Sequence, residues 1–152
     1  MLYLKKPEFN FEDTKDLIIP ILIYMAAMLV YLSLHEGLHG IIYKIFTKEK
    51  LSFRYGLTNA FCGVPQLYVK KWPTLIALIT PFVILTAGFV PTIILMPNNV
   101  YSLLLIVLFA IHLSSCIGDL YIVGLLFTLS KDVLVNNDGM KYSFYLPKEQ
   151  VL

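Results

Sequence analysis

Residues 32–43 read LSLHEGLHGIIY. His35 and His39 stand four apart, so on a helix they stack on one face and can bind a single Zn²⁺ through imidazole nitrogens. Glu36 follows the first histidine and is placed to take a proton from a water at that metal. This is the HExxH arrangement of metalloproteases, with the glutamate as general base. In a soluble helix these polar residues could simply pack inside a bundle. Inside hydrocarbon each ionisable group is costly, and such groups mark functional sites.

The composition says that hydrocarbon is the right setting. The chain has 152 residues, of which 58% are hydrophobic and only 14% charged, with a mean hydropathy of +0.74. Soluble domains carry roughly 25% charge, so the expectation is an integral membrane protein in contact with the lipid bilayer. At this length one domain, residues 1–152, is expected. A net charge of +2, with no basic run interleaved with aromatics, excludes nucleic acid as a partner. Cys62 and Cys116 lie in different segments and form no CxxC, so both read as reduced. Residues 1–16 hold three lysines against four acidic residues, which is not the cationic start of a cleavable signal.

Three apolar segments must carry the site: about 17–46, 74–95 and 100–129. A bilayer core needs about 20 apolar residues per helix, so each segment crosses once, with tilt or a projecting end absorbing the excess of the longer two. Pro97-Asn98-Asn99 reads as a tight turn between the second and third spans. In the loop 47–73, Leu51, Phe53 and Tyr55 alternate with polar residues as a half-buried strand would, and the QLYV of residues 66–69 is its expected partner. In the tail 130–152, VLVNNDGMKYSFYL reads as a hairpin around an Asn-Asp-Gly turn. The fold class is therefore all-α membrane protein: three transmembrane helices with small β-hairpin elements on the cytoplasmic side.

That side follows from the basic residues. Lys48, Lys50, Arg54, Lys70 and Lys71 lie in the loop, and Lys131, Lys141 and Lys148 in the tail, against Lys5, Lys6 and Lys15 at the other end. Loop and C-terminus are expected in the cytoplasm and the N-terminus outside. Trp72 and Tyr101 stand at span starts as interfacial anchors.

All three histidines, His35, His39 and His112, lie in the spans, together with Glu36 and Asp119. No lysine or arginine shares the deep parts of these segments, and a divalent metal is the simplest compensating charge. His112 precedes Asp119 by two helical turns, about 10 Å along the axis, so one metal takes both only if the helix breaks at SSCIG. His112 reads as a donor behind the ligands, an oxyanion stabiliser or a bundle histidine. Cys116 could ligate zinc as thiolate, although packing beside Ser114 and Ser115 suits it better. Pro81 removes a backbone hydrogen bond from the second span and exposes the carbonyl of Ala77, which makes either a plain kink or a contact for substrate. The strand around Phe53 could pair with an extended substrate or lie flat on the membrane surface.

The HEGLHG of the first span, the ALITPF of the second and the SSCIGDLYI of the third resemble a family of small bacterial membrane proteins, the zincin peptidases. The chain is more distantly similar to the site-2 proteases, intramembrane zinc enzymes that cut transmembrane substrates. The resemblance implies a zinc-dependent metalloendopeptidase of the bacterial cytoplasmic membrane. Its substrate would be a membrane-embedded or membrane-associated protein or peptide. His35 and His39 would be ligands, Glu36 the base and Asp119 the third ligand. The site-2 proteases place leucine before and glycine after that aspartate, whereas here the order is Ile117-Gly118-Asp119-Leu120.

Depth arithmetic agrees with Asp119. His35 lies 18 residues after Leu17 and Asp119 lies 19 after Val100, so both sit about 27–28 Å from the outer starts of their parallel spans. His112 is expected about 10 Å higher. Gly118 would loosen the helix so that the short carboxylate reaches the metal. Asp138, also followed by glycine, falls beyond the membrane in a turn that accounts for it. The other reading is a non-proteolytic membrane protein with a structural metal site or a pseudoprotease that binds a partner. A structural site would be closed by four protein ligands, so it would need His112 or Cys116 as the fourth. A metal transporter is a third reading, disfavoured because one pair of spans holds every ligand.

Overall fold

Three long apolar helices account for most of the chain in the structure, a computed structural model that describes residues 15–48, 52–55, 60–63, 68–97, 99–137 and 141–146. Helix α1 is Lys15–Thr47, α2 is Lys71–Leu95 and α3 is Val100–Thr128. Each is long and apolar enough to cross a membrane, which matches the expected three-span helical architecture. Helix α2 begins three residues earlier than the sequence suggests, taking in Lys71, Trp72 and Pro73. Proline is tolerated there because the first-turn N–H groups have no partner within the helix.

The ends explain where the helices stop. Asn99 caps α3, its side chain accepting from Tyr101 N–H at 3.0 Å and Ser102 N–H at 3.1 Å. The Ser102 hydroxyl returns the contact, accepting from Asn99 N–H at 3.1 Å, so two orphan donors are satisfied reciprocally. At the end of α1, Lys48 turns left-handed with φ 58°. Its N–H then reaches back to the Lys44 carbonyl at 3.0 Å, as in the closing turn of helices that use glycine there.

Among the described residues, five short strands decorate one end of the bundle. β1 (Ser52–Tyr55) pairs antiparallel with β2 (Ala60–Gly63), with Phe53 opposite Cys62. The expected partner of the Phe53 strand is thus corrected. Within QLYV, the last two residues begin β3 (Tyr68–Lys70), which pairs instead with β4 (Leu134–Asn137). β4 pairs with β5 (Tyr142–Tyr145), the hairpin expected in the tail. The resulting three-stranded antiparallel sheet has the order β3-β4-β5. Strand β3 runs into α2 and β4 follows α3, so the loop 47–73 and the tail meet at a single end of the bundle.

The largest buried cluster lies under this sheet. Leu75 and Leu78 of α2, Val123 and Leu126 of α3 and Val133 and Val135 pack together, with Tyr142 and Phe144 against them. Elsewhere the helices carry long exposed apolar faces, such as Ile94 and Leu95 on α2 and Ile117 and Tyr121 on α3. In water such faces would drive aggregation; in a bilayer they are the lipid contact.

Candidate metal centre

One face of α1 is buried at every fourth position: Tyr31, His35, His39 and Tyr43. Residues four apart lie on one helix face, so the stripe turns both histidines of HExxH inward between two tyrosines. Glu36, one residue on, is half-buried beside the stripe.

Asp119 comes to this stripe from α3. His35 Nε2 lies 3.2 Å from Asp119 Oδ2, and His39 Nε2 lies 3.3 Å from the same oxygen. The two Nε2 atoms are 3.3 Å apart. Three donors thus form a nearly equilateral triangle. Ligands about 2.0–2.1 Å from a tetrahedral zinc stand about 3.3–3.4 Å from one another, so the triangle has the size of one tetrahedral face. A neutral imidazole pair and one carboxylate is also the chemistry of a zinc site with a position left open. The residues present fit the metal.

Helix α3 achieves this without a break: it is continuous through Gly118, and the carboxylate reaches the histidines with no interruption of the helix at this glycine. The hydroxyls of Ser114 and Ser115 bond back to the carbonyls of Ala110 and Ile111, both at 3.0 Å, which keeps the helix polar groups satisfied in an apolar setting.

His39 is held from behind. Its Nδ1–H donates to the Ala77 carbonyl of α2 at 2.9 Å, and Ala77 is completely buried. His35 has no such anchor among the described residues: its Nδ1 is buried without a hydrogen-bond partner there.

His112 lies closer to the triangle than axial rise alone implies, its ring centroid 6.3 Å from that of His35. It is fully buried and tied to the other helices. Thr86 Oγ1 is 3.1 Å from its Nε2, and the Tyr31 hydroxyl 3.5 Å from its Nδ1. The Cys116 thiol, a free cysteine, is 3.6 Å from Nδ1. His35, His112 and Cys116 form a second group with ligand atoms within 4.8 Å of one another, distinct from the His35, His39 and Asp119 group. Asp138 lies outside the described residues.

Tyr142 faces the centre from the sheet. Burial pushes its phenol above its ordinary range, and the Tyr43 phenol and the Asp119 and Glu36 carboxylates add to the effect. Its oxygen accepts from Asn137 Nδ2 at 3.1 Å.

Sequence reasoning did not place Tyr31, Tyr43, Thr86 or Tyr142 at the site. For the two α1 tyrosines the signal was present, since 31, 35, 39 and 43 share a spacing of four. Thr86 and Tyr142 arrive through tertiary packing, which no local spacing announces. The model of a family described as Putative zincin peptidase matches residues 28–134, a stretch that contains the triangle, Glu36, Pro81 and His112. No curated protein and no solved structure matches the chain.

Proposed function

The chain belongs to the Putative zincin peptidase family, and from that premise we propose that it is an intramembrane zinc metallopeptidase with Glu36 as general base. The observation that carries the reading is the donor triangle of His35, His39 and Asp119, with edges of 3.2–3.3 Å. These three residues would hold the ion, and the fourth position would be left to water and substrate. When bound there, zinc supplies Lewis-acid polarisation of the scissile carbonyl and makes a water acidic enough to attack near neutral pH.

The remaining work belongs to the chain. The Glu36 carboxylate removes the proton of the attacking water and later delivers it to the leaving amine. Burial of His35 and His39, at 6% and 5% exposure, keeps bulk water from the donors and strengthens every electrostatic contact made there. The substrate is a protein or peptide embedded in or lying on the bilayer, because the site sits among helices whose outer faces are apolar.

A structural metal site would be closed by a fourth protein ligand. His112 and Cys116 group with His35 and not with the full triangle, and this favours the catalytic reading. Glu36→Gln tests it. Proteoliposomes carrying the variant should cleave no transmembrane peptide by mass spectrometry, while bound zinc stays near the wild-type level. Stoichiometric loss of zinc in that variant would make Glu36 a ligand and overturn the mechanism.

A further inference from the structure

In an α-helix each N–H bonds the carbonyl four residues earlier, and a proline inside the helix has no N–H to give. Pro81 lies inside α2, so the carbonyl left without its helical donor is that of Ala77. The proline ring also crowds that carbonyl and tilts it off the helix axis. A buried carbonyl with no donor is costly. Here the cost is relieved by α1: His39 Nδ1–H donates to Ala77 O at 2.9 Å. The neighbouring Ile76 carbonyl receives the Thr80 hydroxyl at 2.6 Å, so the disturbed turn directs its one vacated acceptor at the histidine. Alanine at 77 is small enough for the two helices to come this close, packed with Tyr43 and Val69 in one buried cluster.

We infer that Pro81 is a positioning residue for the metal centre. By freeing the Ala77 carbonyl it fixes His39 as the Nδ1–H tautomer and aims the lone pair of Nε2 at the point shared with His35 and Asp119. Metal-bound histidines usually donate their other ring N–H to such an acceptor, and the acceptor sets both ring orientation and ligand basicity. His35 has none, its Nδ1 being buried and unpartnered, so the Pro81 device supplies the only such anchor among the described ligand residues. The inference rests on the reading of His39 as a ligand through Nε2.

Zinc affinity by chelator competition, on purified full-length protein in detergent, tests it. In Pro81→Ala the N–H at position 81 returns and the Ala77 carbonyl turns back towards it. The second lone pair still allows a longer bond to His39, so zinc binding should weaken about tenfold, the low end of the effect of losing such a partner. Pro91→Ala is the control, because it restores the same bond one helix segment away, at the Ala87 carbonyl, and should leave affinity within about twofold. A folded Pro81→Ala protein that binds zinc as tightly as wild type overturns the inference and leaves the zinc site standing. A wild type that binds no zinc overturns both. Nitrogen NMR of ¹⁵N-histidine-labelled wild-type protein with zinc gives a reading that needs no variant. His39 should carry its proton on Nδ1, and a proton on Nε2 would sink the proposal even if Pro81→Ala fails to fold.

Discussion

The Lys71 ammonium donates to the Leu129 carbonyl at 2.8 Å, joining the first residue of α2 to the residue that closes α3. A lysine in the first turn of a helix opposes its own helix dipole. The same charge sits well at the C-terminal end of another helix, where the last carbonyls have no partner. Lys71 is buried to 8% exposure, so this cap is shielded from water.

Replacing Lys71 by methionine should keep the packing of the stem and delete the cap. A hydrogen bond from a charged donor is worth about 2 kcal/mol, and denaturant unfolding in detergent should show a loss of that order. Zinc affinity should be unchanged, because the cap lies away from the Ala77 carbonyl that α2 offers to His39 and from Asp119 on α3. A loss of zinc without a loss of stability would mean that the cap positions the metal centre.

Asp119→Ala and His112→Ala should separate ligand from scaffold. Asp119 contributes an oxygen to two edges of the donor triangle, so its removal should abolish stoichiometric zinc. His112 is fully buried among Tyr31, Thr86 and Cys116. Its loss should cost about 2–4 kcal/mol of stability through a cavity and stranded polar groups, while the folded fraction still binds zinc. Metal analysis with the opposite pattern would move the third ligand to His112. Asp138→Ala should retain zinc, as expected of a turn residue.

Tyr142 gives the protein a dependence on alkaline pH. Burial raises its phenol above the ordinary value of 10.0, with Tyr43, Asp119 and Glu36 adding to the shift. Below pH 10 the phenol is neutral whether folded or unfolded, and its contribution is complete. As pH rises past 10 the unfolded chain can ionise and the folded one resists, so stability falls. Tyr142→Phe should flatten the decline in a melting series from pH 9 to about 11.

The shared end of loop and tail can be checked by labelling. In a background lacking Cys62 and Cys116, cysteines at the exposed positions Lys48 and Lys131 should react with an impermeant reagent from the same side of the membrane. A cysteine at Pro97 should react from the other. Opposite labelling of 48 and 131 would refute three crossings.

Much of the site could be read from the chain because helical rise is constant. Once His35 and Asp119 were assigned to parallel spans, their equal distance from the span starts brought them level, and the structure has them 3.2 Å apart. His112 shows where that arithmetic stops. Axial offset describes backbones, while a long imidazole closes part of the gap, leaving its ring 6.3 Å from His35. Strand partners were less legible. Alternation identified the Phe53 strand but carries no address for its neighbour, and Val69 meets Val135 across 66 residues through contacts visible only in three dimensions. Pro81 was half-legible: the sequence names the carbonyl it frees and says nothing about what faces it.

The first half of α1 presents a broad apolar surface. Ile18, Ile19, Ile21, Leu22, Ile23, Met25, Leu29 and Val30 are all about half exposed or more, while Pro20 is buried and Tyr24, Ala27 and Met28 are half-buried; the stripe buried at every fourth position starts at Tyr31. In a bilayer this segment of more than three turns would meet acyl chains over most of its surface. A thicker or thinner membrane can be met by tilting this free arm, while the stretch from Tyr31 to Tyr43 stays fixed against α2 and α3. Bilayer thickness would then act on the candidate metal centre last, and lipid composition should alter the lean of the arm before it alters the donor triangle.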